Sequence, residues 1–143
     1  MVGRLTELRE AAPGMDAGPL HRHLRSEERF KMEQGRIRIR RGFRESIVIG
    51  PGEEATIPAG TPHTFGVDGD EAAVFIAEFR RPWRIDEVFQ ELFAMPVDKR
   101  GNPRPTDLAE LMHAYPDDFF YPPIVPPAIQ RTLTRPLVWL ARR

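Results

Sequence analysis

Short strand-like runs separated by glycine-containing turns fill the first part of the chain, and this pattern leaves few architectures open. Residues 36–40 alternate polar and apolar side chains with a period of two, as a half-buried strand does. A second run, residues 46–49, ends at a Gly-Pro-Gly turn. Two further runs, residues 61–67 and 72–79, are separated by a turn around Gly69. Many short strands at close spacing predict a β-sandwich or a β-barrel.

The pattern changes at Pro82, after which apolar residues recur with helical spacing. Five of them fall on one face of a helix that should end before Pro96: Ile85, Val88, Phe89, Leu92 and Phe93. The chain also contains 15 prolines, concentrated in its last third, which argues against a helical bundle. We therefore expect a β domain over residues 1–81 and a helical, proline-rich extension over residues 82–143.

Two more helices are predicted in this extension. Thr106 is the expected N-cap of a short helix that carries Leu108, Leu111 and Met112. Residues 115–127 should be extended, and a last helix, kinked or restarted at Pro136, carries Ile129, Leu133, Leu137 and Leu140. These apolar stripes need covering, so we expect the extension to pack on the β domain or on a second subunit.

Charge and cysteine content exclude several classes of function. The formal net charge of zero gives no electrostatic reason to expect nucleic-acid binding. No apolar stretch is long enough to cross a bilayer and no signal peptide is visible, so we expect a soluble cytoplasmic protein without membrane association. The chain has no cysteine, which excludes disulfides, thiolate nucleophiles and iron–sulfur clusters. Any metal must therefore be held by nitrogen and oxygen atoms.

One cluster of titratable residues has the spacing of a metal site. His21 and His23 lie two apart on a strand-like run, so both imidazoles can point to the same side. Glu28 would share a strand face with Phe30 and Met32, which favours it over its neighbour Glu27 as a further ligand.

A second block downstream supplies another histidine. Pro58 and Gly60 form a turn that re-enters the sheet, and His63 follows early on the next strand. His63 can then face inward from the opposite sheet.

Together the two blocks resemble the paired motifs of the cupin superfamily. Eight positions match in register: His21, His23, Glu28, Gly35, Gly52, Pro58, Gly60 and His63. Two positions depart from the family pattern, because Met15 stands where a glycine is expected and Val67 where an asparagine is expected. The resemblance covers about residues 14–80. It implies an all-β double-stranded β-helix, or jelly-roll barrel, here with a helical C-terminal extension.

The resemblance also implies one divalent metal ion held by His21, His23, Glu28 and His63. Three imidazoles and a carboxylate suit iron(II), our first choice, and also manganese, nickel, zinc or cobalt. Four protein ligands on an octahedral ion leave two positions open for a small-molecule substrate or ligand. Cupins are commonly dimers, so the resemblance implies a homodimer.

Three classes of function remain open for such a site. The first is a dioxygenase-type oxidoreductase acting on a small organic molecule, with Glu28 doubling as a catalytic proton acceptor. The second is an isomerase, lyase or hydrolase that uses the metal as a Lewis acid. The third is a small-molecule sensor or binding protein without turnover.

Other side chains are assigned by position. Phe30, Met32 and Phe65 are candidates for the wall of a substrate pocket, although such residues more often form the barrel core. An arginine-rich face around residues 36–44 is expected to be a solvated outer strand. His113, on a predicted helix outside the motifs, is expected at the surface.

Overall fold

The computed structural model describes residues 4–15, 20–82, 84–99, 103–116 and 127–142. Within them it has seven strands followed by three helices. The strands are β1 (Arg4–Ala11), β2 (Glu27–Gln34), β3 (Ile37–Arg41), β4 (Glu45–Ile49), β5 (Glu54–Ile57), β6 (His63–Val67) and β7 (Ala73–Arg80). The helices are α1 (Ile85–Ala94), α2 (Pro105–Ala114) and α3 (Pro127–Ala141).

The strands form two antiparallel sheets that enclose one core. The first sheet has the order β1-β7-β2-β5 and the second the order β4-β3-β6. Side chains alternate along the strands, so that Phe30 and Met32 of β2, and Ile37 and Ile39 of β3, are buried between the sheets. The predicted all-β jelly-roll architecture with C-terminal helices is therefore confirmed.

Periodicity located most of the strands to within about two residues but missed two of them. Strand β1 has no simple alternation, since its two leucines are three residues apart, and β5 has only four residues. Both are fixed by pairing with a neighbour: β1 pairs along its whole length with β7, and β5 pairs with β2. Partners distant in sequence hold these segments in place, which local pattern does not reveal.

The motif glycine Gly35 closes the turn between β2 and β3. Its φ of +68° lies in the left-handed region that favours glycine. A β-carbon at this position would also lie 2.4 Å from the carbonyl oxygen of Ala72. Gly35 is therefore required for two reasons, its backbone conformation and the close approach of the chain before β7.

Helix α1 packs against the barrel as its periodicity predicts. Ile85 and Val88 are fully buried, and Phe89 joins the barrel core cluster together with Ile85. Phe93, which the pattern placed on the same face, is instead 71% exposed. The first two turns of α1 therefore make most of its contact with the barrel.

The two later helices differ from expectation in detail. Helix α2 begins two residues earlier than predicted, with Arg104 as N-cap and Pro105 in the first turn, so Thr106 is inside the helix. Among the side chains of α3 that the structure describes, Val138 is the buried apolar one, whereas Ile129 and Leu140 are exposed, and Pro136 lies inside the helix. Most of the segment expected to be extended, and the side chain of Leu133, lie outside the described residues. Among the helices described, none combines the length and the apolar character that crossing a membrane requires.

Candidate metal centre

A backbone bridge brings the first and last predicted ligands together. His21 and His63 pair across it, with N–H to carbonyl distances of 3.0 Å and 2.8 Å. The carbonyl of His23 accepts a hydrogen bond from the backbone N–H of Gly60 at 2.7 Å. The segment that holds His21 and His23 is thus a short bridge and not the strand predicted for it, but it runs beside β6 as required.

The three imidazoles converge at this bridge. Their ring centroids lie 4.6 to 5.3 Å apart, and one nitrogen from each ring falls in a group in which all atoms are within 4.8 Å of one another. His23 and His63 are each 2% exposed, and His21 is only partly buried. Three of the chain's four histidines therefore form one cluster that can hold a metal ion.

Glu28 reaches the same cluster from β2. Its Oε2 lies 2.8 Å from Nε2 of His63 and 3.7 Å from Nε2 of His23, and the residue is 4% exposed. Glu27 points to the other face of β2, where its carboxylate lies 3.7 Å from Arg80. Strand alternation therefore separates the two glutamates as predicted, with Glu28 on the side of the histidines.

These distances fit a shared divalent ion. Ligand atoms about 2.1 Å from an ion lie about 3 Å apart when adjacent and about 4.2 Å apart when opposite on an octahedron. The contacts of Glu28 with His63 and His23 fall close to that range. The donor set, three imidazole nitrogens and a carboxylate, is also one that first-row divalent metals accept. The residues present therefore fit the implied metal.

The surroundings of His63 orient its ring and change its proton affinity. Its Nδ1 lies 2.9 Å from the carbonyl oxygen of Thr61, so Nδ1 carries a proton and Nε2 points at the cluster. Burial lowers the pKa of His63. The hydrogen bond to Glu28, the negative charge of Glu28 and the hydrogen bond to the Thr61 carbonyl all raise it. These three effects together outweigh burial, so the pKa of His63 lies above its ordinary value. Without a metal, the contact with Glu28 therefore favours the doubly protonated, positively charged form of His63.

Aromatic rings that the sequence did not indicate cover the cluster on one side. The ring of His23 makes edge contacts with Phe79 of β7, at 5.9 Å between centroids, and with Phe89 of α1, at 6.1 Å. Helical spacing marked Phe89 as a buried residue, but nothing in the sequence places that face of α1 over the histidines. The extension thus contributes directly to the wall of the candidate site.

The predicted pocket residues lie inside the barrel. Phe30, Met32 and Phe65 are all buried in the core, where Phe30 and Phe65 contact each other and Phe75. This is the core arrangement given as the alternative in the sequence analysis. Their contact with a substrate stays a prediction.

The remaining polar residues singled out above lie at the surface. Arg36, Arg38 and Arg40 face outward from the second sheet, and the first two pair with Asp68 at 3.5 Å and 2.7 Å. His113 is exposed on α2. Both agree with the expectation of solvated positions outside the site.

Comparison with known proteins decides the family. A family model for the cupin domain matches residues 8–78, which include all four predicted ligands, strands β2 to β6 in full and most of β7. The chain belongs to the cupin superfamily. No curated protein matches this cupin.

Solved structures share the barrel of this cupin at low sequence identity. The Bacillus halodurans protein BH2720 is 21% identical with a TM-score of 0.52, covering 55% of this chain and 63% of that one. The cupin domain of Schizosaccharomyces pombe Cnp3 is 16% identical with a TM-score of 0.51, covering 54% and 55%. A Klebsiella pneumoniae protein with a double-stranded β-helix domain is 18% identical with a TM-score of 0.50, covering 54% and 66%. This cupin spans less than two thirds of each, and the likeness shows the fold alone.

The two departures from the cupin motif meet in the structure. The backbone N–H of Val67 donates a hydrogen bond to the carbonyl oxygen of Met15 at 2.8 Å. That contact uses only main-chain atoms, which any residue supplies. The cupin barrel therefore forms this contact without the glycine and the asparagine that the family pattern places there.

Proposed function

We propose that this cupin is a metal-dependent enzyme of dioxygenase type that acts on a small organic molecule. The proposal includes one divalent ion, iron(II) in first place, held by His21, His23, Glu28 and His63. The observation that carries it is the group formed by one nitrogen from each of three imidazoles, with the Glu28 carboxylate beside two of them, His23 and His63. Nitrogen and oxygen ligands without thiolate are typical of non-haem iron sites.

The chain's own residues define what the site does. When bound, an iron(II) ion supplies Lewis acidity and one-electron redox chemistry. The Thr61 carbonyl holds the proton of His63 on Nδ1, which leaves Nε2 as a ligand atom. Glu28, which is buried between His23 and His63, offers a carboxylate oxygen that can accept a proton from a bound substrate.

The different burial of the histidines indicates the side from which a substrate can reach the site. Phe79 and Phe89 form an apolar wall beside His23, whereas His21 is only partly buried. We therefore expect a substrate to approach past His21 and to lie against this wall. An apolar wall strengthens the electrostatic interactions at Glu28 and His63.

The test is metal analysis of protein purified without chelator, followed by oxygen uptake with a panel of small organic substrates. We expect about one iron per chain and substrate-dependent oxygen consumption. His63→Ala should abolish both, whereas the matched control His113→Ala, at an exposed histidine outside the site, should leave both unchanged.

Other outcomes assign the other classes. Turnover without oxygen consumption in a zinc-loaded protein would replace the proposal with a Lewis-acid isomerase, lyase or hydrolase. Tight retention of a small molecule without turnover would replace it with a sensor or binding protein.

A further inference from the structure

In its middle, strand β1 places two charged residues on its inner face and an apolar residue on its outer face. Glu7 and Arg9 pair in register with Ala77 and Phe75, which are core residues of β7. Leu8, between them, points outward and is 72% exposed. A strand with one buried face normally shows the reverse pattern. Departures of this kind concentrate at functional positions.

The inward-facing Arg9 is one aromatic ring away from the candidate metal centre. Its guanidinium lies 4.7 Å from the centroid of Phe89 and 5.8 Å from that of Phe93, and these two rings stack on each other. Phe89 is the residue that also contacts the ring of His23. The same ring thus carries Arg9 on one part of its surface and a predicted ligand on another.

The hydrogen-bond donors of Arg9 are only partly used. Oε2 of Glu7 accepts from Nε at 3.1 Å and from Nη2 at 2.5 Å. A guanidinium has five N–H groups in one plane, so three remain beyond the two that bond to Glu7 among the described residues. The side chain of Arg9 is 18% exposed, and its position over the Phe89 ring restricts the directions in which the remaining donors can point.

We propose that Arg9 is a specificity-determining residue that binds a carboxylate of the substrate while another part of the substrate lies at the metal centre. This inference rests on the proposed function and adds the substrate class, a small carboxylic acid. Planar N–H pairs match carboxylate oxygens in a two-pronged geometry. Glu7 already neutralises the single positive charge of Arg9, so the remaining N–H donors suit a singly charged carboxylate better than a doubly charged phosphate. The Phe89 ring would line the part of the substrate between the two ends.

The experiment measures binding and not turnover. Full-length protein loaded with cobalt(II) is titrated with dicarboxylic acids of three to six carbons and with the monoamide of each, following the visible bands of the cobalt. Each acid and its monoamide present the same end to the metal and differ only at the distal group. We expect the best-fitting acid to bind about tenfold or more tightly than its monoamide, as for a charged hydrogen bond.

Substitutions of Arg9 locate the source of that preference. Arg9→Gln should reduce it to less than about twofold while acetate affinity stays unchanged. Arg9→Lys, which keeps a charge but not the planar fork, should retain only part of it and replaces Arg9→Gln if that variant does not fold. The matched control is Arg4→Gln, on the outer face of the same strand, which should keep the full preference.

The possible results separate the two proposals. Failure of the protein to bind cobalt would overturn the proposed metal centre itself. Cobalt binding without discrimination between acid and monoamide, or discrimination that survives Arg9→Gln, would overturn only the role of Arg9 and leave that residue as an anchor for α1. Tighter binding of inorganic phosphate than of every carboxylate, lost in Arg9→Gln, would overturn the assigned substrate class.

Discussion

Among single residues, His63 is held by three different partners within the candidate site. It pairs with His21 through the backbone, contacts Glu28 through Nε2 and is oriented by Thr61 through Nδ1. We expect His63→Ala to weaken binding of divalent metal by at least about 100-fold, because it removes a ligand and leaves Glu28 unopposed. Competition with a chromophoric chelator measures this, with His113→Ala as control. Equal affinities of the two variants would exclude His63 as a ligand.

The raised pKa of His63 makes the metal-free protein sensitive to pH. Because the folded pKa lies above the unfolded value of about 6.5, the stabilising contribution is fully present below pH 6.5. It is lost as the pH rises through the raised folded pKa. Urea unfolding of metal-free wild type and His63→Ala between pH 6 and 9 should show their stability difference shrinking as pH rises. A difference that grows over this range would contradict the assigned cause.

The four ligands could be proposed from the sequence because the resemblance to cupins implies the set and local spacing supports each position. Two histidines two residues apart, a glutamate on a known strand face and a histidine after a turn each depend on short-range periodicity. The sequence did not predict that Phe89 lies beside the histidines or that Arg9 lies over Phe89. Their position depends on how α1 and β1 pack against the barrel, which no short window of sequence records.

Among the structural elements, the turn between β2 and β3 allows two effects of one substitution to be separated. Gly35 and Gly42 both have a positive φ, of +68° and +66°. Only at Gly35 would a β-carbon meet backbone, at 2.4 Å from the Ala72 oxygen, whereas nothing lies within 4 Å at Gly42. Gly42→Ala should cost about 1–2 kcal/mol from φ alone. Gly35→Ala should cost about 2 kcal/mol more, because the turn and the start of β7 must separate.

Urea denaturation of both variants provides the measurement. Similar losses of unfolding free energy would mean that the backbone near Ala72 moves aside easily and that the glycine serves only its φ value. The same comparison bears on the family motif, in which Gly35 is one of the matched positions.

For the whole molecule, we expect the stability and solubility of the barrel to depend on the C-terminal extension, residues 82–143. Ile85 and Phe89 belong to the barrel core cluster, so a chain ending at Arg81 would expose Phe79 and the side of His23. We expect this truncated chain to melt at a lower temperature and to aggregate, since that buried apolar surface becomes exposed. Thermal melting and size-exclusion chromatography test this, and the latter also tests the predicted homodimer. A truncated chain as stable and soluble as the full one would show that residues 82–143 are dispensable.

At this scale the sequence predicted the architecture but not its assembly. The change of period at Pro82 separated strands from helices, and the eight motif positions predicted the barrel. The sequence did not predict which sheet face each helix covers. An amphipathic stripe shows that one side of a helix is buried, but it does not identify the surface against which that side packs.

The contact between Glu28 and His63 joins positions 35 residues apart in a chain without cysteine. Closing a loop of that length costs about 3 kcal/mol of chain entropy. An ion that bridges its two ends would oppose reopening of the loop much as a covalent crosslink does, while contributing little until the ends have met. Stopped-flow kinetics should then show that metal slows unfolding far more than it accelerates refolding. The lifetime of the folded protein would in that case depend on the supply of metal in its surroundings.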